Sequence, residues 1–163
     1  MQSDADLGRL TNAIVTTGNA LLREAGRLFK PHGITAVQFN VLMLLADEAD
    51  GLRPSALTEA MVVEASSTTY VLDRMEALGW LKRVADEADR RAMRIVLTKS
   101  GRNLYARVAP LYVAALRGML ASLDPKTVAP LADTLAGVQA AAHDAVDRVL
   151  TAAAAKKPAR RKA

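Results

Sequence analysis

Five consecutive side chains, Ser66-Ser67-Thr68-Thr69-Tyr70, each carry a hydroxyl, and Arg74 follows Tyr70 at the spacing of one helical turn. Short hydroxyls and a guanidinium bind polar edges and phosphate oxygens, so they are equipped for recognition rather than for breaking bonds. Further on the chain turns basic. Residues 82–107 hold eight Lys or Arg against three Asp or Glu. Among these are Lys82, Arg83, Arg90, Arg91, Arg94, Lys99 and Arg102, with Asp89 just before the paired arginines. The whole chain carries +5, yet five cations (Lys156, Lys157, Arg160, Arg161 and Lys162) sit in the last eight residues. Residues 1–155 are therefore neutral, with 17 basic and 17 acidic side chains. A neutral body with one basic stretch suits docking on a polyanion along one face.

Other chemistries lack their parts. The chain has no cysteine, which removes disulfides, thiolate metal sites and thiol redox sensing together. His32 and His143 are its two histidines, far apart in sequence, so no metal site is expected. Carboxylate pairs such as Asp47-Glu48 and Asp86-Glu87 have no companion nucleophile or base, and neither catalysis nor a cofactor is expected.

These residues are positioned by helices. Leu7, Leu10, Ile14, Leu21, Leu22, Leu28 and Phe29 recur at helical spacing over residues 7–29, and Pro31 and Gly33 end that run. Thr35-x-x-Gln38 reads as a capping box, with Gln38 a cap rather than a ligand contact. The helix it opens, to about Asp47, is apolar on several sides and belongs in a core. Gly51 breaks it, and Pro54 begins a short third helix to Met61. Residues 65–78 form the next helix, stopped by Gly79. Residues 80–84 and 93–97 read as two strands, with the charged stretch Asp86 to Arg91 as their loop. Thr98 caps a long helix that Pro110 should bend, and Asp124-Pro125 starts the last one.

Apolar residues make up 51% of the 163-residue chain and aromatics only 4%, which favours helix packing over a sandwich or barrel. The fold class is thus mainly α with a small β-hairpin. The acidic, polar start is no signal peptide and no apolar run approaches the ~20 residues of a membrane span. A soluble intracellular protein is expected. From Thr151 the composition becomes Ala, Lys, Arg and Pro, read as a disordered basic tail. The tail serves as a nonspecific DNA anchor, a solubility device or a docking site, the first being favoured.

At the hairpin a resemblance appears. Asp89-Arg90-Arg91-Ala92, then Ile95-Val96-Leu97-Thr98, then Gly101-Arg102, resembles the signature of the MarR family of bacterial regulators. The segment Leu57 through Arg102 aligns without a gap, and the order of elements matches from about Leu7 to Leu150. The resemblance implies a winged helix-turn-helix at 35–98, flanked by a dimerisation helix at 1–34 and dimerisation helices at 99–150, ahead of the tail at 151–163. It implies an obligate homodimer on a pseudo-palindromic operator in double-stranded DNA, with residues 65–78 as the recognition helix. The family pattern often reads Ser-Thr-x-Thr-Arg there, so Tyr70 replaces an arginine, and Ala88 stands where a wing arginine is common.

The DNA-contact set that follows is Ser55, Ser66, Ser67, Thr68, Thr69, Tyr70, Arg74, Lys82, Arg83, Asp89, Arg90, Arg91, Arg94 and Lys99. Hydroxyls at a helix N-terminus reach base edges and phosphates, and the helix dipole attracts the backbone. Arg91 matches the family's minor-groove finger, oriented by Asp89, while Lys82, Arg83, Arg90, Arg94, Lys99 and Arg102 neighbour phosphates. Blander readings stay open. The hydroxyl run caps a buried helix, the paired arginines form a solvated turn, and Arg74 pairs with Asp73 or Glu76 instead of DNA. His32, with nearby Arg27, is either a solvated loop residue or an anion contact for a small aromatic effector. The function expected is a cytoplasmic, bacterial, sequence-specific repressor, nucleoid-associated when bound and released by a small aromatic or amphipathic ligand. Its alternatives are an architectural DNA binder or counter-silencer without an effector, and a helical protein-interaction scaffold.

Overall fold

A computed structural model describes residues 3–61, 65–86, 89 and 91–155, without the side chains of 65–67, 143, 154 and 155. Its elements are α1 (Asp4–Phe29), a single 3-10 turn (Lys30–His32), α2 (Ala36–Ala46), α3 (Pro54–Ala60) and α4 (Ala65–Ala77). The hairpin β1 (Leu81–Ala85) and β2 (Met93–Leu97) follows, then α5 (Lys99–Met119) and α6 (Pro125–Ala155). Chain-local signals account for most boundaries. Ser3 caps α1 by accepting a hydrogen bond from the Asp6 N–H. Thr35 and Gln38 close a reciprocal capping box, at 3.2 and 2.9 Å. The Thr98 hydroxyl accepts from the Gly101 N–H at the start of α5. Pro110 and Pro130 lie inside α5 and α6, and neither ends its helix.

The described residues fall into two compact units, divided between Leu116 and Arg117. The first holds α1 through most of α5 around one core. α2 is its centre, with Phe39, Val41, Leu42 and Leu45 all buried, and Phe29, Leu57, Leu72, Met75, Leu81, Ile95 and Val108 close around it. β1 pairs antiparallel with β2, Arg83 opposite Ile95. A third segment joins the sheet at one point: Leu52 exchanges both backbone hydrogen bonds with Ile95, at 3.1 and 2.8 Å. That bridge fixes the hairpin to the loop between α2 and α3. Gly51 permits it, having φ +70° and no Cβ to overlap the Ile95 carbonyl oxygen.

The second unit contains α6, whose start is capped by the Asp124 carboxylate accepting from the Lys126 N–H at 2.9 Å. Its Val128, Leu131, Leu135, Val138, Val146, Val149 and Leu150 are all exposed. α6 runs on to Ala155, so residues 151–155 are helical rather than the start of a tail. Alanine is the strongest helix former, and the run Ala152 to Ala155 extends the helix before the cations begin. The tail cations at 156–162 lie outside the described residues.

Candidate nucleic-acid interface

α4 shows which of its hydroxyls can meet a partner. Helical geometry advances 100° per residue, so five successive side chains cannot share one face. Thr68, Leu72 and Met75, at i, i+4 and i+7, form the inner stripe, and Thr68 is only 1% exposed. A buried hydroxyl cannot reach a base edge, so Thr68 leaves the contact set. Thr69 and Arg74 are exposed, and Tyr70 is 71% exposed. Tyr70 and Arg74, four apart, stand on one outward face. The Ser66 and Ser67 side chains lie outside the described residues. Ser55 is exposed in the first turn of α3.

The acidic neighbours of Arg74 turn elsewhere. Arg83 on β1 donates to Asp73 Oδ1 at 2.6 Å and to Glu76 Oε2, and its backbone N–H donates to Glu76 Oε1 at 3.1 Å. The Asp73 hydrogen bond, aided by the charge of Glu76, raises the guanidinium pKa despite the opposing effect of burial. Arg83 is therefore a fixed cation committed to two carboxylates of α4, which argues against its expected place among phosphate neighbours. It ties the first wing strand to the helix beside it.

A second ionic cluster sits under the wing. Asp86 is 5% exposed, and its Oδ2 accepts from Arg53 Nε at 3.1 Å, with Arg53 Nη2 at 3.0 Å. Arg94 Nε lies 3.4 Å from the same oxygen, close enough for charge attraction but not in hydrogen-bond geometry. Arg94 also donates to the Asp50 carbonyl at 3.3 Å. It is thus drawn inward, where the sequence suggests a phosphate neighbour. Asp86 joins the N-cap of α3 to the far strand of the hairpin, and a buried carboxylate needs such partners.

At the wing tip Arg91 is exposed, and its backbone N–H donates to Asp89 Oδ1 at 3.1 Å. The Asp89 carbonyl accepts from the Ala92 N–H at 2.8 Å. Asp89 shapes the turn through the backbone instead of holding the guanidinium. Arg90 and Ala88 lie outside the described residues. Lys82, Arg94 and Arg102 line one cleft of about 570 Å3 with Asp50 and Asp86. Lys99 lines a different cleft, of about 420 Å3, with His32, Trp80 and Arg107. The basic stretch is thereby divided between two places.

Neither residue expected to meet a small ligand lines an apolar cavity. Arg27 is exposed and pairs with Glu24 at 2.7 Å, and His32 faces the polar cleft just described. An apolar cavity of about 320 Å3 lies instead among α1, α2, Met61 and α5, lined by Phe29, Phe39, Asn40, Met43 and Tyr112. The aromatic rings pack closely, Phe29 on Phe39 at 4.4 Å and Phe39 against Tyr112 at 4.9 Å and 61°. Phe29, Phe39, Tyr105 and Tyr112 are four of the chain's six aromatic residues, and that scarcity was the available signal. Among the described residues no cluster of three His, Cys, Asp or Glu could hold a metal, and no helix is long and apolar enough to cross a membrane.

Comparison with known proteins agrees with this frame. A family model described as the MarR family matches residues 32–92. The transcriptional regulator TtmR of Methylorubrum extorquens is 30% identical over 83% of this chain and 68% of its own length. PecS of Dickeya dadantii, also a transcriptional regulator, is 33% identical over 60% of each chain. The match thus spans about three fifths of the length of PecS, and 58% of MprA from Escherichia coli. AbsC, a MarR family transcriptional regulator from Streptomyces coelicolor, superposes with a TM-score of 0.77 at 25% identity. That superposition covers 88% of this chain and 98% of AbsC. By its match to the family model, its likeness to TtmR and its fold, this chain belongs to the MarR family of winged-helix transcriptional regulators.

Proposed function

We propose that the chain acts as a homodimeric repressor that binds double-stranded DNA and releases it when a small ligand fills the apolar cavity. The observation that carries the DNA reading is the Arg83 staple, which joins the helix with the outward-facing Tyr70–Arg74 surface to the first strand of a basic wing. α4 fits a major groove, and Arg91 at the wing tip is a cation for the adjacent minor groove. Sco3205, a protein of the same fold at 22% identity, is crystallised in complex with DNA. Repression is the simplest output for a protein that occupies duplex and does no chemistry on it. Relatives carry both signs, MprA being a repressor and BadR an activatory protein.

Open apolar side chains support the dimer. On α1, Leu7, Leu10, Ile14 and Leu22 are between 37% and 63% exposed, and α6 presents its own row of seven. Surfaces of this kind are covered in stable proteins by a partner. Light scattering at micromolar concentration should give twice the 17.4 kDa chain mass. A soluble monomer with full DNA affinity overturns the dimer. Two recognition helices then address half-sites ~34 Å apart, which gives the operator its two-fold character.

The cavity supports the ligand response. It touches Met61, the buried residue that closes α3 immediately before the chain leads on toward α4. A ligand that presses there moves the joint of the helix-turn-helix, and it releases DNA only if it favours the free form. CouR, which shares the fold, is crystallised bound to p-coumaroyl-CoA.

The test is fluorescence anisotropy on a duplex selected by the protein from a random pool, against an unselected duplex, over a range of salt. Selected DNA should bind at least 1,000-fold more tightly, in line with a specific regulator. Equal affinity for both makes the protein an architectural binder. Arg91→Ala should cost about 1–2 kcal/mol on the selected duplex and less on the unselected one. A uniform loss on both would reduce Arg91 to a phosphate contact.

A further inference from the structure

We infer that the polar cleft beside α5 is a nucleotide site, in which Lys99 and Arg107 hold the phosphates and the Trp80 ring stacks on the base. The cleft, of about 420 Å3, lies wholly within the first unit and shares no lining residue with the apolar cavity. It brings together His32, Trp80, Lys99, Ser100, Asn103 and Arg107, and no Asp or Glu. The other basic cleft differs, because there Lys82, Arg94 and Arg102 share the lining with Asp50 and Asp86. No ion pair among the described residues engages Lys99, Arg107 or His32. A concave surface that gathers cations without a counter-charge is suited to an anion from solution. Lys99, Asn103 and Arg107 recur every four residues, so they line one face of α5 over about 12 Å, a length that suits an extended anion.

The aromatic partner is held ready. The Trp80 N–H donates to the Met75 carbonyl at 3.0 Å, and the Trp80 carbonyl accepts from the Thr98 N–H at 3.0 Å. Gly101 has no Cβ to overlap that carbonyl oxygen, which lets α5 start tight against it. With its backbone pinned between α4 and α5, the half-buried indole needs little further ordering to receive a flat base. The Asn103 amide and Ser100 hydroxyl supply donors and acceptors for a base edge or a ribose. The place also sets these cations apart from the wing tip. Trp80 and Lys99 flank the base of the hairpin, where Leu81 pairs with Leu97, whereas Arg91 lies beyond the far pair of Ala85 and Met93. The four steps from Met93 to Leu97 span about 13 Å.

Trp80 is the chain's single tryptophan, so its emission reports on this cleft alone. The experiment titrates the full-length protein with adenosine 5′-diphosphate, adenosine and pyrophosphate, followed by tryptophan emission and by calorimetry. The diphosphate should quench the emission and bind at least tenfold more tightly than either fragment, the scale of one base stacked on an aromatic ring. Lys99→Ala and Arg107→Ala, both at exposed positions, should each weaken the diphosphate at least fivefold and change adenosine less than twofold. Trp80→Leu, read by calorimetry, should bring the diphosphate down to the affinity of pyrophosphate. The two exposed variants carry the test should the leucine variant fail to fold. Adenosine binding as tightly as the diphosphate means that the cations read no phosphate, and pyrophosphate doing so means that Trp80 reads no base. Either result overturns the nucleotide assignment, as does the absence of binding by both adenosine and guanosine diphosphates at millimolar concentration. Loss of affinity for the selected duplex in Arg107→Ala, without loss for the diphosphate, makes the cleft a DNA contact and overturns it too.

Discussion

Gly51→Ala is expected to destabilise the winged unit by about 3 kcal/mol, seen as a lower urea midpoint with an unchanged slope. Two costs add. Gly51 has φ +70°, a conformation that costs an L-residue about 1–2 kcal/mol. The added methyl would also overlap the Ile95 carbonyl oxygen, and a backbone atom held by the Leu52 N–H cannot yield cheaply. Relief requires the loop to move away from β2, which takes the Leu52 bridge with it. The Asp50 carbonyl that anchors Arg94 shifts in the same movement. Gly33→Ala is the control. Its φ is +71° but its Cβ would meet nothing, so about 1 kcal/mol should be lost there. Equal losses at both sites would mean that the close approach to Ile95 contributes nothing.

Arg83→Ala is expected to weaken binding to a selected duplex about 100-fold, near 2.7 kcal/mol, although its guanidinium is committed to Asp73 and Glu76. The guanidinium holds Asp73 and Glu76 of α4 against β1, so its loss frees the helix and the wing to take independent positions. It also leaves two carboxylates beside the outward Tyr70–Arg74 surface with no cation between them. Both effects act on contacts that must be made together. Lys82→Ala, one residue away and exposed, separates this from simple loss of charge. That variant should weaken all duplexes alike and lower the salt slope by about 1. A cycle of Arg83→Ala with Glu76→Gln measures the staple directly. If the two changes add, Arg83 is an independent phosphate contact, as its place in the basic stretch first suggests.

Much of the frame was legible because its causes are local. Thr35 and Gln38 satisfy each other's backbone within three residues, Gly79 ends α4 at φ +72°, and Thr98 starts α5 with its own hydroxyl. The wing motif was equally plain, since Asp89 shapes its turn within two residues. α6 overran the expected boundary at Thr151 for a local reason as well, the helix propensity of its alanines outweighing the change in composition. The apolar cavity was not legible. Tyr112 is far in sequence from Phe29 and Phe39, each reads as ordinary core, and only the packing of three helices leaves a gap among them.

By itself, then, the sequence determined which segments are helical, where they start, which residues could meet a phosphate, and the family the chain belongs to. The tertiary structure alone decided how those residues are spent. Thr68 turns inward because the 100° step assigns it to the stripe of Leu72 and Met75. Arg83 and Arg94 turn to carboxylates 7 to 10 and 8 residues away because folding brings opposite charges together in partly dry surroundings, where attraction is stronger than in water. Tyr70 remains outward because the same step sets it opposite that stripe, and Arg74 and Arg91 have no ion pair among the described residues to draw them in. Residue type sets what a side chain is able to bind, and its neighbours in space set whether it is still available to bind it.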